Sequence, residues 1–152
     1  MKKSCYIAPG AVVTGDVILG ENANIWYNAV LRGDSGTITV GDGTNIQDGC
    51  ILHDETTLGR FCTVGHGAIV HGCTVGNYCL IGMGAILLGG AVLGDNCMVG
   101  AGALVTGKMN APAGSLLLGS PAKVVRELTE EELAHVKENA GEYIRLAQRD
   151  LA

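Results

Sequence analysis

The sequence predicts a parallel β-helix built from six-residue repeats, and two observations support this fold class. Aliphatic residues recur at every sixth position from Ile7 to Leu31, from Val40 to Val70 and from Val75 to Val105. A small residue follows almost every one of these positions four residues later, and Met109 is the exception. A period of six fits neither a helix, with 3.6 residues per turn, nor a long strand, whose period is two.

Each repeat is explained by a short strand that points one aliphatic side chain inward, followed by a bend with a small residue at the corner. Gly, Asp and Asn tolerate the backbone angles of such bends, and the chain contains 24 glycines. Three repeats complete one coil, and neighbouring coils hydrogen-bond at roughly 4.8 Å. A chain of 152 residues therefore provides about six coils and a C-terminal tail.

The repeats end near Leu117, and the segment LLGSPAKVVREL (117–128) leads away from the solenoid. Thr129 and Glu132 form the pattern of a capping box, which predicts the start of a helix. Apolar residues spaced by three or four then mark a stripe that should pack on this prism or a neighbouring one. We therefore expect the β-helix over residues 1–122 and a C-terminal segment with an α-helix over 123–152.

Composition excludes several functional classes. The net charge of −5 argues against nucleic acid as a partner, because phosphate binding needs a basic surface. The chain opens with no basic-then-apolar leader, and no apolar run reaches the length of a membrane span. These features predict a cytoplasmic protein without a membrane partner.

The six cysteines fit packing better than disulfides. Four of them, Cys50, Cys62, Cys79 and Cys97, take the small corner position of their repeats, where alanine stands elsewhere. We expect these four to be buried and unpaired. Cys73 lies beside His71 in a repeat that is one residue short, which makes it a weaker candidate for a metal ligand or a contact to one.

Three of the four histidines fall within one coil. His53 and His71 are 18 residues apart, so three repeats place one above the other on the same face, where both can bind one zinc at roughly 2.0–2.1 Å. His66 takes a different position in its repeat, around a corner of the prism. Its natural partners are His53 and His71 of another subunit, which predicts three intersubunit sites in a homotrimer.

Other polar residues collect around the same coil. Asp48 precedes His66 by 18 residues and should lie one rung beneath it, next to Gln47. Arg32 and Asp34 interrupt the repeat in LRGDSGT, where each can pair with an opposite charge of a neighbour.

The motifs LRGD (31–34), GDGTNIQDGCILH (41–53), VGHGAIVHGC (64–73) and IGMGA (81–85) resemble those of gamma-class carbonic anhydrases, a branch of the hexapeptide-repeat family. The resemblance covers nearly the whole chain. It implies a left-handed β-helix, a homotrimer, and Zn²⁺, or Fe²⁺ or Co²⁺, bound between subunits by His53, His66 and His71. It also implies a lyase that reversibly hydrates carbon dioxide to bicarbonate with metal-bound hydroxide.

The same resemblance assigns roles to further residues. It gives Gln47 a catalytic hydrogen-bonding role and gives Arg32, Asp34 and Asp48 roles at the subunit interface. Tyr143, in ENAGEYIRLA, matches the C-terminal helix of the family, from which a tyrosine approaches the site.

One departure from the family pattern bears on activity. Glutamate-rich loops that transfer protons are replaced here by RGDSGTIT and HDETT, with Asp54 and Glu55 as the nearest acids. The sequence therefore leaves weak or absent hydration open as an alternative to an active enzyme, and we expect proton transfer to limit turnover. Three alternatives stay open on this scaffold: CoA-dependent acyl transfer, which GSPAK (119–123) also fits; metal-dependent thioester hydrolysis; and a non-catalytic metal-bound assembly module.

Overall fold

The computed structural model describes residues 4–152, which form a left-handed parallel β-helix with one C-terminal helix. The prism has three faces. The first face consists of β1 (Tyr6–Ile7), β3 (Asn24–Ile25), β5 (Asn45–Ile46), β8 (Thr63–Val64), β11 (Leu80–Ile81), β14 (Met98–Val99), β17 (Ser115–Gly119) and β18 (Ala122–Glu127).

The other two faces are joined by long strands that turn a corner. The second face contains β6 (Ile51–His53), β9 (Ile69–His71), β12 (Ile86–Leu87) and β15 (Leu104–Val105), and the third contains β7 (Thr56–Leu58), β10 (Thr74–Val75), β13 (Val92–Leu93) and β16 (Asn110–Ala111). Strands β2 (Val12–Leu19) and β4 (Val30–Val40) run along both faces, and β4 pairs with both β6 and β7.

The pairing register follows the repeat, with two local changes. His53 of β6 pairs with His71 of β9, so the spacing of 18 residues is one coil as predicted. Leu31 pairs with Leu52 because the longer stretch LRGDSGTIT adds residues to its coil, and β4 accommodates them by continuing around the corner. Leu58 pairs with Val75 across the short repeat.

The predicted inward aliphatic positions form the core from Ile25 onward. Their side chains are at most 2% exposed: Ile25, Leu31, Val40, Ile46, Leu52, Leu58, Val64, Val70, Val75, Ile81, Leu87, Leu93, Val99, Val105, Ala111 and Leu117. Ile7 departs from this pattern and is 46% exposed, because β1 is the edge strand of the first face within the described residues.

Helix α1 (Glu130–Asp150) packs on the first face, against β3, β5 and β8 of its own chain. Thr129 caps it: its hydroxyl accepts from the Glu132 backbone, and the Glu132 side chain accepts from the Thr129 backbone, which is the predicted capping box. Val136, Ala140 and Ala147 are its buried residues. Before the helix, β18 runs antiparallel to β17, a strand pair that the sequence pattern had not indicated.

No helix within residues 4–152 is both long and apolar enough to cross a membrane.

Candidate metal centre

The second face holds two stacked histidines. His53 and His71 end the paired strands β6 and β9, so both side chains project from the same edge of neighbouring coils. Nδ1 of His53 lies 3.3 Å from Nε2 of His71, and the ring centroids are 5.2 Å apart. Two nitrogen ligands of a tetrahedral zinc, each at about 2.0–2.1 Å, are separated by about 3.3 Å. The pair therefore fits two positions of such a metal site.

Asp34 and Ser35 hold the other nitrogen of His53. Oδ1 of Asp34 lies 2.9 Å from Nε2 of His53, and the Ser35 hydroxyl lies 3.2 Å from the same nitrogen. Because a carboxylate can only accept, Nε2 carries the proton, and in the neutral ring Nδ1 keeps its lone pair on the side facing His71. The hydrogen bond from His53 lowers the pKa of Asp34, with Arg32 as a second cause.

Arg32 belongs to the same cluster through its ion pair with Asp34, at 2.7 Å, and it pairs in register with His53. The contact of Asp34 with His53 depends on the path of β4 through the interrupted repeat, from Arg32 to Ser35. Ser35 was not among the site residues predicted from the sequence, because the regular spacing of the repeat does not extend through the interrupted segment that contains it.

His66 lies on the first face, in the turn after β8. Its Nδ1 is 3.7 Å from Oδ2 of Asp48, and the Gly67 amide donates to the Asp48 carbonyl, so Asp48 lies one rung beneath it, as the spacing predicted. Both side chains are about half exposed, at 46% and 48%.

A cavity of about 240 Å³ opens between His66 and helix α1. Its walls are formed by Gln47, Thr63, Gly65, His66, Leu80, Ile81, Met83, His135, Asn139 and Tyr143. Gln47 is only 5% exposed, whereas His135 of α1 is exposed and lies at the cavity rim. The cavity thus brings Gln47, His66 and Tyr143 together, three of the residues expected at the site.

Tyr143 reaches the cavity from α1. Its ring packs edge-on against Trp26, with centroids 5.5 Å apart, so the same side chain packs against a neighbour and forms part of the cavity wall. Burial raises the pKa of Tyr143, and the negative charge of Asp48 adds to this effect. Tyr143 therefore stays protonated near neutral pH.

A chain of buried amides fixes the orientation of Gln47. Its Nε2 donates to Oδ1 of Asn45 at 3.1 Å, while Nδ2 of Asn45 donates to the Cys62 carbonyl and to the Thr63 hydroxyl. Asn139 of α1 donates to the same hydroxyl at 2.9 Å. Sequence analysis missed these residues, although the polar Asn24, Asn45 and Thr63 at one repeat position are a detectable signal.

The expected site residues therefore form two separate groups in one chain. Arg32, Asp34, His53 and His71 gather on the second face, which we call half-site one; Gln47, Asp48, His66 and Tyr143 gather on the first face, which we call half-site two. Within residues 4–152 no group of three His, Cys, Asp or Glu side chains could hold a metal ion.

The cysteines behave as packing residues. Cys50, Cys62, Cys79 and Cys97 are free and buried, which confirms the prediction from their corner positions. Cys73 is 2% exposed and belongs to the aliphatic core; burial raises the pKa of its thiol to about 12. A neutral thiol inside the core is a poor metal ligand, since ligation requires the thiolate.

These features define a hexapeptide-repeat β-helix with a histidine site. The family described as bacterial transferase hexapeptide (six repeats) matches residues 1–33 and 72–107. A Methanocaldococcus jannaschii protein named as a probable carbonic anhydrase is 47% identical, over 97% of this chain and 96% of its own. The mitochondrial gamma carbonic anhydrase 2 of Arabidopsis thaliana is 45% identical over 96% of this chain, which spans only 56% of that protein.

Among solved structures, a hexapeptide transferase family protein from Anaplasma phagocytophilum is 42% identical, with a TM-score of 0.87 over 97% of this chain and 93% of its own. The archaeal relative matches along almost the full length of both chains. The chain belongs to the gamma carbonic anhydrase-like family of hexapeptide-repeat proteins.

Proposed function

We propose that this protein is a homotrimeric, metal-dependent carbonic anhydrase, a lyase that reversibly hydrates carbon dioxide to bicarbonate. The observation that carries the proposal is the division of the site into two half-sites on different faces of one prism. Half-site one offers two imidazoles at the spacing of metal ligands, and half-site two offers a third imidazole beside a small cavity lined by polar and apolar residues. Neither is complete alone.

A ring of three protomers would complete every site. Contact between two different faces is a heterologous interface. Such an interface forms a closed ring of three subunits when it relates neighbouring subunits by a threefold rotation. Both faces carry exposed apolar side chains suited to burial between subunits: Ile51 and Leu88 near half-site one are 42% and 40% exposed, and Tyr27 and Met83 on the first face are 41% and 59% exposed.

His53 and His71 of one protomer and His66 of its neighbour would hold the metal. Three neutral imidazoles suit zinc, and Fe²⁺ or Co²⁺ would also accept this set. When bound, a divalent metal supplies a Lewis acid that lowers the pKa of water to about 7 and keeps one position open. We infer zinc as the resident metal.

The surrounding side chains would position the ligands and the reactants. Asp34 holds the His53 ring with Nδ1 unprotonated, and Asp48 restrains His66 from one rung below. Gln47 donates to Asn45 through Nε2, so its Oε1 is the acceptor available to an attacking water or to the hydroxyl of bicarbonate. Arg32 restrains Asp34 through their ion pair, and Tyr143 supplies a protonated hydroxyl at the cavity wall. The cytoplasmic location stays a prediction from the sequence.

The proposal is tested by carbon dioxide hydration measured by stopped flow on metal-loaded protein, together with its mass by light scattering. Activity should require metal, rise with pH through about 7, and fall in Gln47→Ala without loss of metal. Because the acidic loops are absent, concentrated imidazole buffers should accelerate turnover. A metal-loaded trimer that hydrates no carbon dioxide even in strong buffer would contradict the proposal.

Acyl transfer from CoA is the second candidate, supported by the similarity to a hexapeptide transferase family protein. That chemistry needs one histidine as general base and no metal. It would release free CoA from acetyl-CoA only in the presence of an acceptor and would survive chelation. Thioester cleavage that requires metal, without carbon dioxide hydration, would favour the hydrolase alternative instead.

A further inference from the structure

The hydroxyl of Thr63 has both of its lone pairs occupied. It accepts from Nδ2 of Asn45 at 2.8 Å and from Nδ2 of Asn139 at 2.9 Å. A threonine hydroxyl has two acceptor sites and one proton, so this proton must point elsewhere. Within residues 4–152 no group accepts it, while Thr63 forms part of the wall of the 240 Å³ cavity.

The presence of a free donor in this pair does not depend on how the Asn139 amide is oriented. With the orientation observed, the Thr63 hydroxyl and the second Nδ2 proton of Asn139 are both free. With the amide reversed, Thr63 would donate to the Asn139 oxygen and the whole Asn139 amino group would turn toward the cavity. Asn45 cannot take the proton, because its oxygen accepts from Gln47 and its amino group is used twice. In either case one donor of this pair has no acceptor within residues 4–152, and both Thr63 and Asn139 line the cavity.

Gln47 supplies a hydrogen-bond acceptor in the same cavity. Its Nε2 donates to Asn45, so Oε1 is left as an acceptor in the same cavity. A ligand that matches both groups carries an oxygen that accepts and a hydroxyl that donates. Bicarbonate has both in one small planar ion, whereas nitrate has acceptors only.

We propose that Thr63, oriented by Asn139 of helix α1, is a binding residue that donates a hydrogen bond to an oxygen of bicarbonate while Gln47 accepts from the bicarbonate hydroxyl. The identity of the ligand rests on the proposed carbonic anhydrase function, but the donor and acceptor arrangement does not. Through these hydrogen bonds Thr63 contacts none of the three histidines, and it connects helix α1 to the cavity.

Trp26 provides a readout that is independent of catalysis. It is the single tryptophan of the chain, it is 7% exposed, and it packs on Tyr143 of the cavity wall. Titration of the purified, metal-loaded protein with bicarbonate at fixed pH and ionic strength, followed by Trp26 fluorescence, should give a dissociation constant. Nitrate, at the same ionic strength, should bind more weakly because it has no proton for Gln47.

Thr63→Val removes the hydroxyl with little change of shape and should raise the bicarbonate dissociation constant about tenfold, as the loss of one hydrogen bond to a charged ligand predicts. Thr63→Ser keeps the donor and should bind within about twofold of the parent protein. Asn139→Ala leaves the hydroxyl free to donate and should cost less than Thr63→Val. Thr57→Val, at an exposed threonine of β7, is the matched control and should have no effect.

Three results would overturn the inference. They are no fluorescence response to bicarbonate in the parent protein, a bicarbonate affinity of Thr63→Val equal to that of the parent protein, or a loss of affinity in Thr63→Ser or in Asn139→Ala as large as that in Thr63→Val. Melting curves identify variants that fail to fold. If Thr63→Val is one of them, the bicarbonate affinities of Thr63→Ser and Asn139→Ala decide alone, and a loss of affinity in Thr63→Ser overturns the inference. Binding that depends on Thr63 in a protein that hydrates no carbon dioxide would refute the proposed function only. Hydration with unchanged binding in Thr63→Val would refute only the role of Thr63.

Discussion

Nδ1 of His53 lies 3.3 Å from Nε2 of His71, while the opposite nitrogen of His53 is held by Asp34 at 2.9 Å. One ring therefore has its two nitrogens assigned by geometry, one to a carboxylate and the other to the side where a metal would bind. This arrangement is the usual way in which a protein fixes the tautomer of a ligating histidine. It makes Asp34 the residue through which half-site one is most easily tested.

Asp34→Asn should weaken metal binding by roughly tenfold to a hundredfold, because the charged acceptor that orients His53 is lost. Competition with a chelator of known affinity measures this change. The hydrogen bond from His53 holds the pKa of Asp34 below its ordinary 3.8, so the carboxylate is charged above that pH and loses its effect only in stronger acid. Ser35→Ala should cost less, since the hydroxyl is farther from Nε2; equal metal affinity in Asp34→Asn would refute the role.

Metal content of mixed trimers should reveal whether each site uses two chains. His66→Ala and His71→Ala should each lose the metal, because each removes one of three ligands. After the two variants are unfolded together and reassembled, every mixed trimer contains one interface with an intact His66 facing an intact His53 and His71. Metal analysis should then show occupancy close to one site per mixed trimer. His135→Ala, the control, should keep full occupancy, and no recovery in mixed trimers would indicate a site within one chain.

Thiol reagents should distinguish buried from exposed cysteines. Of the six cysteines only Cys5 is exposed, so the native protein should react rapidly at one thiol per chain and at all six after unfolding. Burial raises the pKa of Cys50 to about 11 and that of Cys73 to about 12, which keeps both thiols neutral and slow to react. Cys73→Ala should leave the metal content unchanged, and metal loss in this variant would restore Cys73 as a candidate ligand.

Stability should depend on the cap of helix α1. Thr129→Ala should lower the free energy of unfolding by about 1 kcal/mol, measured by urea denaturation, because the capping hydroxyl is lost. Arg126 and the Thr129 backbone lower the pKa of Glu132 from 4.5 to about 2. The stabilisation by Glu132 is therefore fully present above pH 4.5 and is lost as the pH falls toward 2.

Melting temperatures of Glu132→Gln between pH 2 and pH 4.5 and above test the pH-dependent stabilisation by Glu132. The variant should melt below the parent protein at pH values above 4.5, and the difference should vanish near pH 2. Glu130→Gln, in the same helical turn, is the control and should show a smaller difference. A difference between Glu132→Gln and the parent protein that does not change with pH would refute the assignment.

The sequence by itself determined the features that follow from a strict period. A spacing of 18 residues is one coil wherever the repeat is unbroken, so the pairing of His53 with His71 and the position of Asp48 beneath His66 could be predicted from residue numbers. The burial of the four cysteines at corner positions and the capping box of α1 also follow from local sequence patterns. Each of these predictions needed only the repeat or a few neighbouring residues.

Only the tertiary structure decided the contacts that cross a break in the period. Asp34 and Ser35 reach His53 because β4 carries an interrupted repeat around a corner, and spacing cannot be extrapolated through such a segment. Asn139 meets Thr63, 76 residues away in sequence, because α1 docks on the first face with one particular rotation. No spacing in the sequence relates the positions of α1 to those of the hexapeptide repeats, so their alignment is set by the packing of Val136, Ala140 and Ala147 against the prism.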